Sequence, residues 1–285
     1  MVRDTGSPRA DAESDFLRAR RHATLSNLAR WVRHDQDDVH ETLSFSEVVD
    51  ALGRRGERSL GAQVIPLDAI VGSVDKVRDF DRRFRPTSGR SRQRWENMAQ
   101  KTRRGESFPP IDVYKLGNLY FVRDGHHRVS VARALGTKSI EAAVTEIDTV
   151  ISTDGIGGRR DLDGKNWGLH FLQRVPLTGE RRADINCTDP DHYPRLAEMV
   201  EAWACRLMHE ESAYFDKPTM ARRWYDEEYT PVLAMIDEAG VRGPDETGAD
   251  AYLRIAGERY RLIREHEWNS DVLKMIAEKR RSRKK

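Results

Sequence analysis

The stretch FPPIDVYKLGNLYFVRDGHHRVSVARALG, residues 108–136, changes period twice and so holds three elements. Ile111–Leu116 and Leu119–Val122 are rich in β-branched, aromatic and other apolar residues, and Gly117-Asn118 between them is a two-residue hairpin turn. Beyond Arg123, Val129, Val131, Ala132, Ala134 and Leu135 read as a helix that stops at Gly136. Between the second strand and this helix lies Asp124-Gly125-His126-His127-Arg128, which puts a carboxylate, a glycine, two imidazoles and a guanidinium in one turn.

Working outward, Ile140–Ile147 reads as a further strand. Upstream, Ser44-Phe45-Ser46-Glu47 has the form of a capping box for a short helix over 45–52, with Gly53 as its stop. The polar segment GRRGERSLG that follows is expected as a loop, and Gln63–Leu67 as a strand whose Pro66 marks an edge or an end. A helix is expected around Ser91–Arg104. Residues 1–14 are polar and expected disordered, followed by an amphipathic helix from Asp15 to about His34. Residues 152–191, rich in Gly, Asp and Arg, read as a linker. From 192 the chain turns helical: Leu196, Met199, Val200, Trp203 and Leu207 step by three and four. Further helices are expected over 219–239, interrupted by Pro231, and over 249–267 and 270–282. The aromatic residues Trp203, Trp224, Tyr225, Tyr229, Tyr252, Tyr260 and Trp268 are expected in a core or a dimer contact.

The 285 residues carry 49 Lys and Arg against 47 Asp and Glu, a net charge of +2, so overall charge does not point to nucleic acid. No run of about 18 apolar residues exists to cross a membrane, and the N-terminus lacks an apolar signal region. Two cysteines, Cys187 and Cys205, make neither a disulfide framework nor a CxxC pair. A reduced, cytoplasmic protein with no membrane partner is expected. The histidines His170, His192, His209 and His266 show no zinc-ligand spacing.

The turn carries the chemistry. Gly125 allows a sharp turn and close approach of a ligand. The helix start after it offers unpaired N–H groups and a positive dipole end, which suit an anion. Arg128 adds a planar fork for phosphate oxygens. His126 and His127 can donate hydrogen bonds or act as acid or base, and Asp124 can cap the helix, orient a histidine, take a proton or hold a metal. Exposed turn residues with no function are the alternative reading of the same five positions.

Residues 108–147 resemble the core of the ParB/sulfiredoxin-like fold: a Pro-Pro-Ile strand, a hairpin, a strand ending in Asp-Gly, a His/Arg loop, a helix of small residues, a glycine and a last strand. The upstream IPLDAIVGSVDKVRDFDRRFRP is similar to a subgroup of bacterial ParB-like proteins with a helical C-terminal extension. This resemblance implies that the loop binds nucleotide phosphates. ParB itself has a Gly-Glu-His/Arg-Arg loop for CTP, sulfiredoxin a Gly-Cys-His-Arg loop for ATP, and free-serine kinases the Asp-Gly-His-His-Arg form found here. His126 stands where sulfiredoxin has its reactive Cys, so sulfinic acid reduction is not implied. No helix-turn-helix module follows, so operator binding of the ParB type is not implied either. The kinases need an upstream acid, for which Glu96, Asp79, Asp81 and Asp68 are candidates.

The expected fold is α+β: a leading segment over 1–42, a ParB/sulfiredoxin-like mixed sheet with helices over 43–150, a linker over 151–190, and a mainly α-helical C-terminal domain with a basic tail over 191–285. The expected ligand is a nucleoside di- or triphosphate with magnesium. Gly125, His126, Arg128, Gly72 and Ser73 would hold it, and Asp124 and His127 would do acid/base or metal work in NTP hydrolysis or small-molecule phosphorylation. The alternatives are a non-catalytic, nucleotide-gated binder of DNA or protein, with oligomer formation open, and a ParB-like nuclease. Residues 76–104 hold eleven Lys and Arg against three Asp and Glu. Within them Arg82, Arg83, Arg85, Arg92 and Arg94 are candidate contacts for phosphates or nucleic acid.

Overall fold

The computed structural model describes residues 5–33 and 42–263. The basic tail, the helix expected over 270–282, His266 and Trp268 lie outside them, as do residues 1–4 of the leading segment. The chain divides into two compact units, residues 1–163 and 164–285.

The first unit is built on a six-stranded mixed sheet. Its strands are β1 (Leu43–Ser44), β2 (Arg54–Pro66), β3 (Ile70–Ser73), β4 (Ile111–Leu116), β5 (Leu119–Asp124) and β6 (Ser139–Thr149), in the order β1-β3-β5-β4-β6-β2. The β4–β5 and β6–β2 pairs are antiparallel and the rest parallel. Its helices are α1 (Pro8–Arg33), α2 (Phe45–Leu52), α3 (Arg92–Arg103) and α4 (His126–Ala134).

Strand alternation builds two cores. Ile111, Val113, Val122 and Val144 face one side with Phe80, Phe84 and Val129. Leu116, Phe121 and Ile147 face the other with Val48 and Leu52 of α2. Beyond α4, Phe16 of α1 meets Trp95 of α3 edge to face at 5.6 Å, with Ala12, Ala99 and Val131 around them.

Several expectations change. The segment read as a polar loop after Gly53 is most of β2, which pairs with β6 from Arg54 opposite Thr149 to Pro66 opposite Ser139. It hides from period-2 reading because it is an edge strand, mostly exposed, with register shifts near Gly56 and Gly61. Charge pairing helps hold it. Arg58 donates to Glu146 at 2.8 Å, and Glu146 also accepts from Lys115 at 2.8 Å, so one carboxylate ties β2, β6 and β4 together. The second change is at α1, which starts at Pro8 rather than Asp15. Pro suits a helix start, and Asp11 and Asp15 are buried, Asp15 accepting from Arg103 of α3 at 2.5 Å. The α2 boundaries are as read, with Gly53 at φ 70°, but the capping box does not form. Ser44 Oγ sits 2.9 Å from Ser46 Oγ, and Glu47 accepts from Arg159.

The segment read as a linker holds two helices, α5 (Asp161–Arg174) and α6 (Gly179–Asp184). They are followed in the second unit by α7 (His192–Glu210), α8 (Lys217–Arg223), a π turn (Trp224–Tyr229), α9 (Thr230–Glu238) and α10 (Gly248–Ile263). Pro231 has no N–H and its ring crowds the carbonyl four residues back, which accounts for the widened turn just before it. Trp224, Tyr229 and Tyr252 form the aromatic centre of this unit, with ring centroids 5.0–5.9 Å apart. Among the described residues no helix is long and apolar enough to cross a membrane.

Candidate nucleotide site

β5 and α4 meet at Gly125, whose φ of 99° lies in the left-handed region. A Cβ there would come within 2.5 Å of Ile111 Cγ2, so glycine is required twice over. The peptide N–H groups of His126, His127 and Arg128 form the first turn of α4, where no residue four places back can receive them within the helix. They and the helix dipole make this turn an anion-binding element.

The side chains of the turn are placed differently from one another. His126 is buried, and its Nε2 shares a 2.7 Å hydrogen bond with Ser73 Oγ, which also accepts from the Lys76 N–H at 2.9 Å. Phe80 and Phe84 stack at 6.1 and 6.3 Å from its ring. His127 meets Phe80 edge to face at 5.3 Å, and its Nδ1 is buried with no hydrogen-bond partner. Burial, reinforced by the Lys76 charge, pushes both imidazoles down to about 4, so both are neutral at pH 7. Asp79 opposes that shift at His127. Of the four candidate upstream acids it alone has its charge registered at that ring.

Arg128 does not reach outward as a free fork. It donates to the Pro109 and Pro110 carbonyls and, at 2.7 Å, to Asp124. The Asp124 side chain is 79% exposed and does not cap the helix. Gly72 and Ser73 end β3 beside β5; Ser73 reaches the turn, whereas Gly72 packs against Phe121 and Leu43. Gly72 packs too tightly for any side chain, a Cβ falling 2.6 Å from the Leu43 carbonyl oxygen. Ser73 meets His126 through its hydroxyl.

The basic stretch splits. Arg82, Arg83 and Arg85 line one cavity of the first unit, and Arg92 lines another with Glu13 and Glu96. Arg92 donates to both of these carboxylates, while Arg94 is exposed on α3. Phe80, Phe84 and Lys76 were missed as site residues. Their one sequence signal was their place within the basic run, and nothing in the sequence announces the positive φ of 56° at Phe84.

Residues 72–153 match the family model of the ParB N-terminal domain. This segment is similar to a ParB N-terminal domain. The match covers the three central strands β5, β4 and β6, the turn and α4, and leaves most of the chain outside it. A solved structure titled "Structure of the C2221 form of Pnob8-like ParB-N domain" is similar at 13% identity, covering 73% of this chain and 82% of its own, with a TM-score of 0.23. A TM-score that low supports no inference about this chain. No curated protein matches it.

Proposed function

We propose that the turn between β5 and α4 binds the phosphates of a nucleoside di- or triphosphate and that this binding governs engagement of a DNA or protein partner. The observation that carries the reading is the start of α4 behind Gly125, inside a segment similar to a ParB N-terminal domain, with two neutral imidazoles packed against it. The helix N–H groups would take the phosphate oxygens. His127, with an unpartnered Nδ1, would add a hydrogen bond. Asp124 is the carboxylate of the turn itself and would repel a phosphate unless a cation lay between them. Magnesium fits there as an ion held by Asp124 and the phosphates themselves, and among the described residues no three His, Cys, Asp or Glu side chains form a larger ligand set. Bound there, the ion would neutralise phosphate charge.

Binding without rapid turnover is the better-supported form. An imidazole held near 4 is a weak base at pH 7, and Asp124 is engaged by Arg128. The test is a thermal-shift panel of ATP, ADP, CTP, GTP and UTP, with and without magnesium, on wild type and His127→Asn. A nucleotide at 100 times its Kd adds about 2.7 kcal/mol. One nucleotide raising the wild-type midpoint and not the variant's is the expected result. No shift with any of them overturns the reading, and rapid release of phosphate would replace the switch by an NTPase.

A further inference from the structure

At the opposite end of α4 lies a second cavity of about 830 Å³ in the first unit. Six cationic side chains line it: Arg18 from α1, Arg82, Arg83 and Arg85 from the loop before α3, Arg133 from α4, and Lys138. Two carboxylates accompany them, Asp15 and Asp68. Asp15 accepts from Arg103 at 2.5 Å and also lies 3.6 Å from Arg18, which is therefore partly matched too. Arg85 is partly matched by Asp81 at 2.6 Å.

Arg133 is the built element of this wall. Its guanidinium donates to the carbonyls of Leu67, Ile70 and Arg82 and lies over the Phe84 ring at 5.2 Å. No carboxylate is among these contacts, and its Nε is buried without a partner among the described residues. The charges of Asp68 and Asp81 reach this half-buried guanidinium without a direct contact, which leaves room for an anion to pair with it. The surrounding arginines are presented by a loop fixed from below. Asp81 accepts from the Arg83 and Arg85 N–H groups at 3.0 and 2.9 Å, and Phe84 is buried. The cations are therefore arranged before any ligand arrives.

We propose that this cavity binds a small molecule carrying at least two linked phosphate groups, independently of the turn at Gly125. The volume suits a ligand of nucleotide size, since such pockets run from about 300 to 1,000 Å³. The excess of arginine over carboxylate selects multiply charged phosphate over a single carboxylate. A half-open cavity of this size takes a compact polyanion, whereas nucleic acid favours a long groove along which the backbone can run.

The experiment is calorimetric titration of the full chain with inorganic tripolyphosphate at low salt. It uses wild type, the doubly reversed Arg83→Glu/Lys138→Glu, and His127→Asn. Arg83 and Lys138 are exposed, and circular dichroism checks that the double variant folds. Expected is binding by wild type and by His127→Asn, weakened at least tenfold in the double variant. Equal binding by wild type and the double variant overturns the proposal. So does loss in His127→Asn alone, which would leave the turn at Gly125 as the site of binding. A 20-base-pair duplex that binds through Arg83 and Lys138 while tripolyphosphate does not would also overturn it, in favour of a nucleic-acid surface.

Discussion

Ser73 Oγ and His126 Nε2 lie 2.7 Å apart in the interior, joining the end of β3 to the start of α4 across 53 residues of chain. The hydroxyl also caps the Lys76 N–H. Ser73→Ala leaves a buried imidazole nitrogen and a backbone donor unsatisfied, a cost of about 1–3 kcal/mol. Urea unfolding of the first unit should show it, and Ser73→Thr, which keeps the hydroxyl, should recover part of the loss.

The two neutral histidines make stability fall with acid. Their folded-state affinity for protons is depressed to about 4, below the ordinary 6.5. The unfolded chain therefore binds more protons between those values. The stabilisation is fully present above about pH 6.5 and is lost as pH falls towards 4, at up to about 1.4 kcal/mol per pH unit for each ring. Hydrogen exchange of β5 and α4 amides at pH 7.5 and 5 should show this slope, and His126→Gln should flatten it by about half. A flat wild-type profile would contradict the burial of these rings.

Three glycines should rank by their surroundings. Gly61→Ala meets open space at a φ of 74° and should cost about 1 kcal/mol. Gly125→Ala adds contact with Ile111 at 2.5 Å to a φ of 99° and should cost several times more. Gly72→Ala drives a methyl against the Leu43 carbonyl and the Phe121 ring, and should prevent folding of the first unit. Expression level and melting temperature give the order directly.

Asp124 and Arg128 form an ion pair in which one side is largely exposed. A double-mutant cycle with Asp124→Asn and Arg128→Met should return a coupling below about 1 kcal/mol. Arg128→Met alone should cost more than Asp124→Asn, because it also strips two carbonyls of their donor.

Asp15 and Arg103 test whether α1 belongs to the first unit. The Asp15 carboxylate is 2% exposed, and its loss removes the nearer of the two carboxylates, Asp15 and Asp11, that face the buried Arg103. Asp15→Ala should cost about 3 kcal/mol. Limited proteolysis should then cut within residues 8–25, which wild type protects.

The hairpin, the turn at Gly125 and α4 were readable along the chain because their signals are local. Gly117-Asn118 encodes its own turn, Gly125 its own left-handed residue, and the apolar residues around them alternate or wind on one face. Local chemistry also singled out Ser73 and His126 separately. Their meeting was not local, since it depends on β3 lying next to β5 in a sheet ordered β1-β3-β5-β4-β6-β2. The same holds for β2 and the first turns of α1. Arg54–Ala62 is a strand because β6 offers it a partner, and residues 8–14 are helical because Arg103 and Trp95 bury that helix. Propensity over a few residues cannot carry such information. Pairing free energy from distant residues overrides it, and that same long-range pairing brings six scattered cations to one cavity at the end of α4.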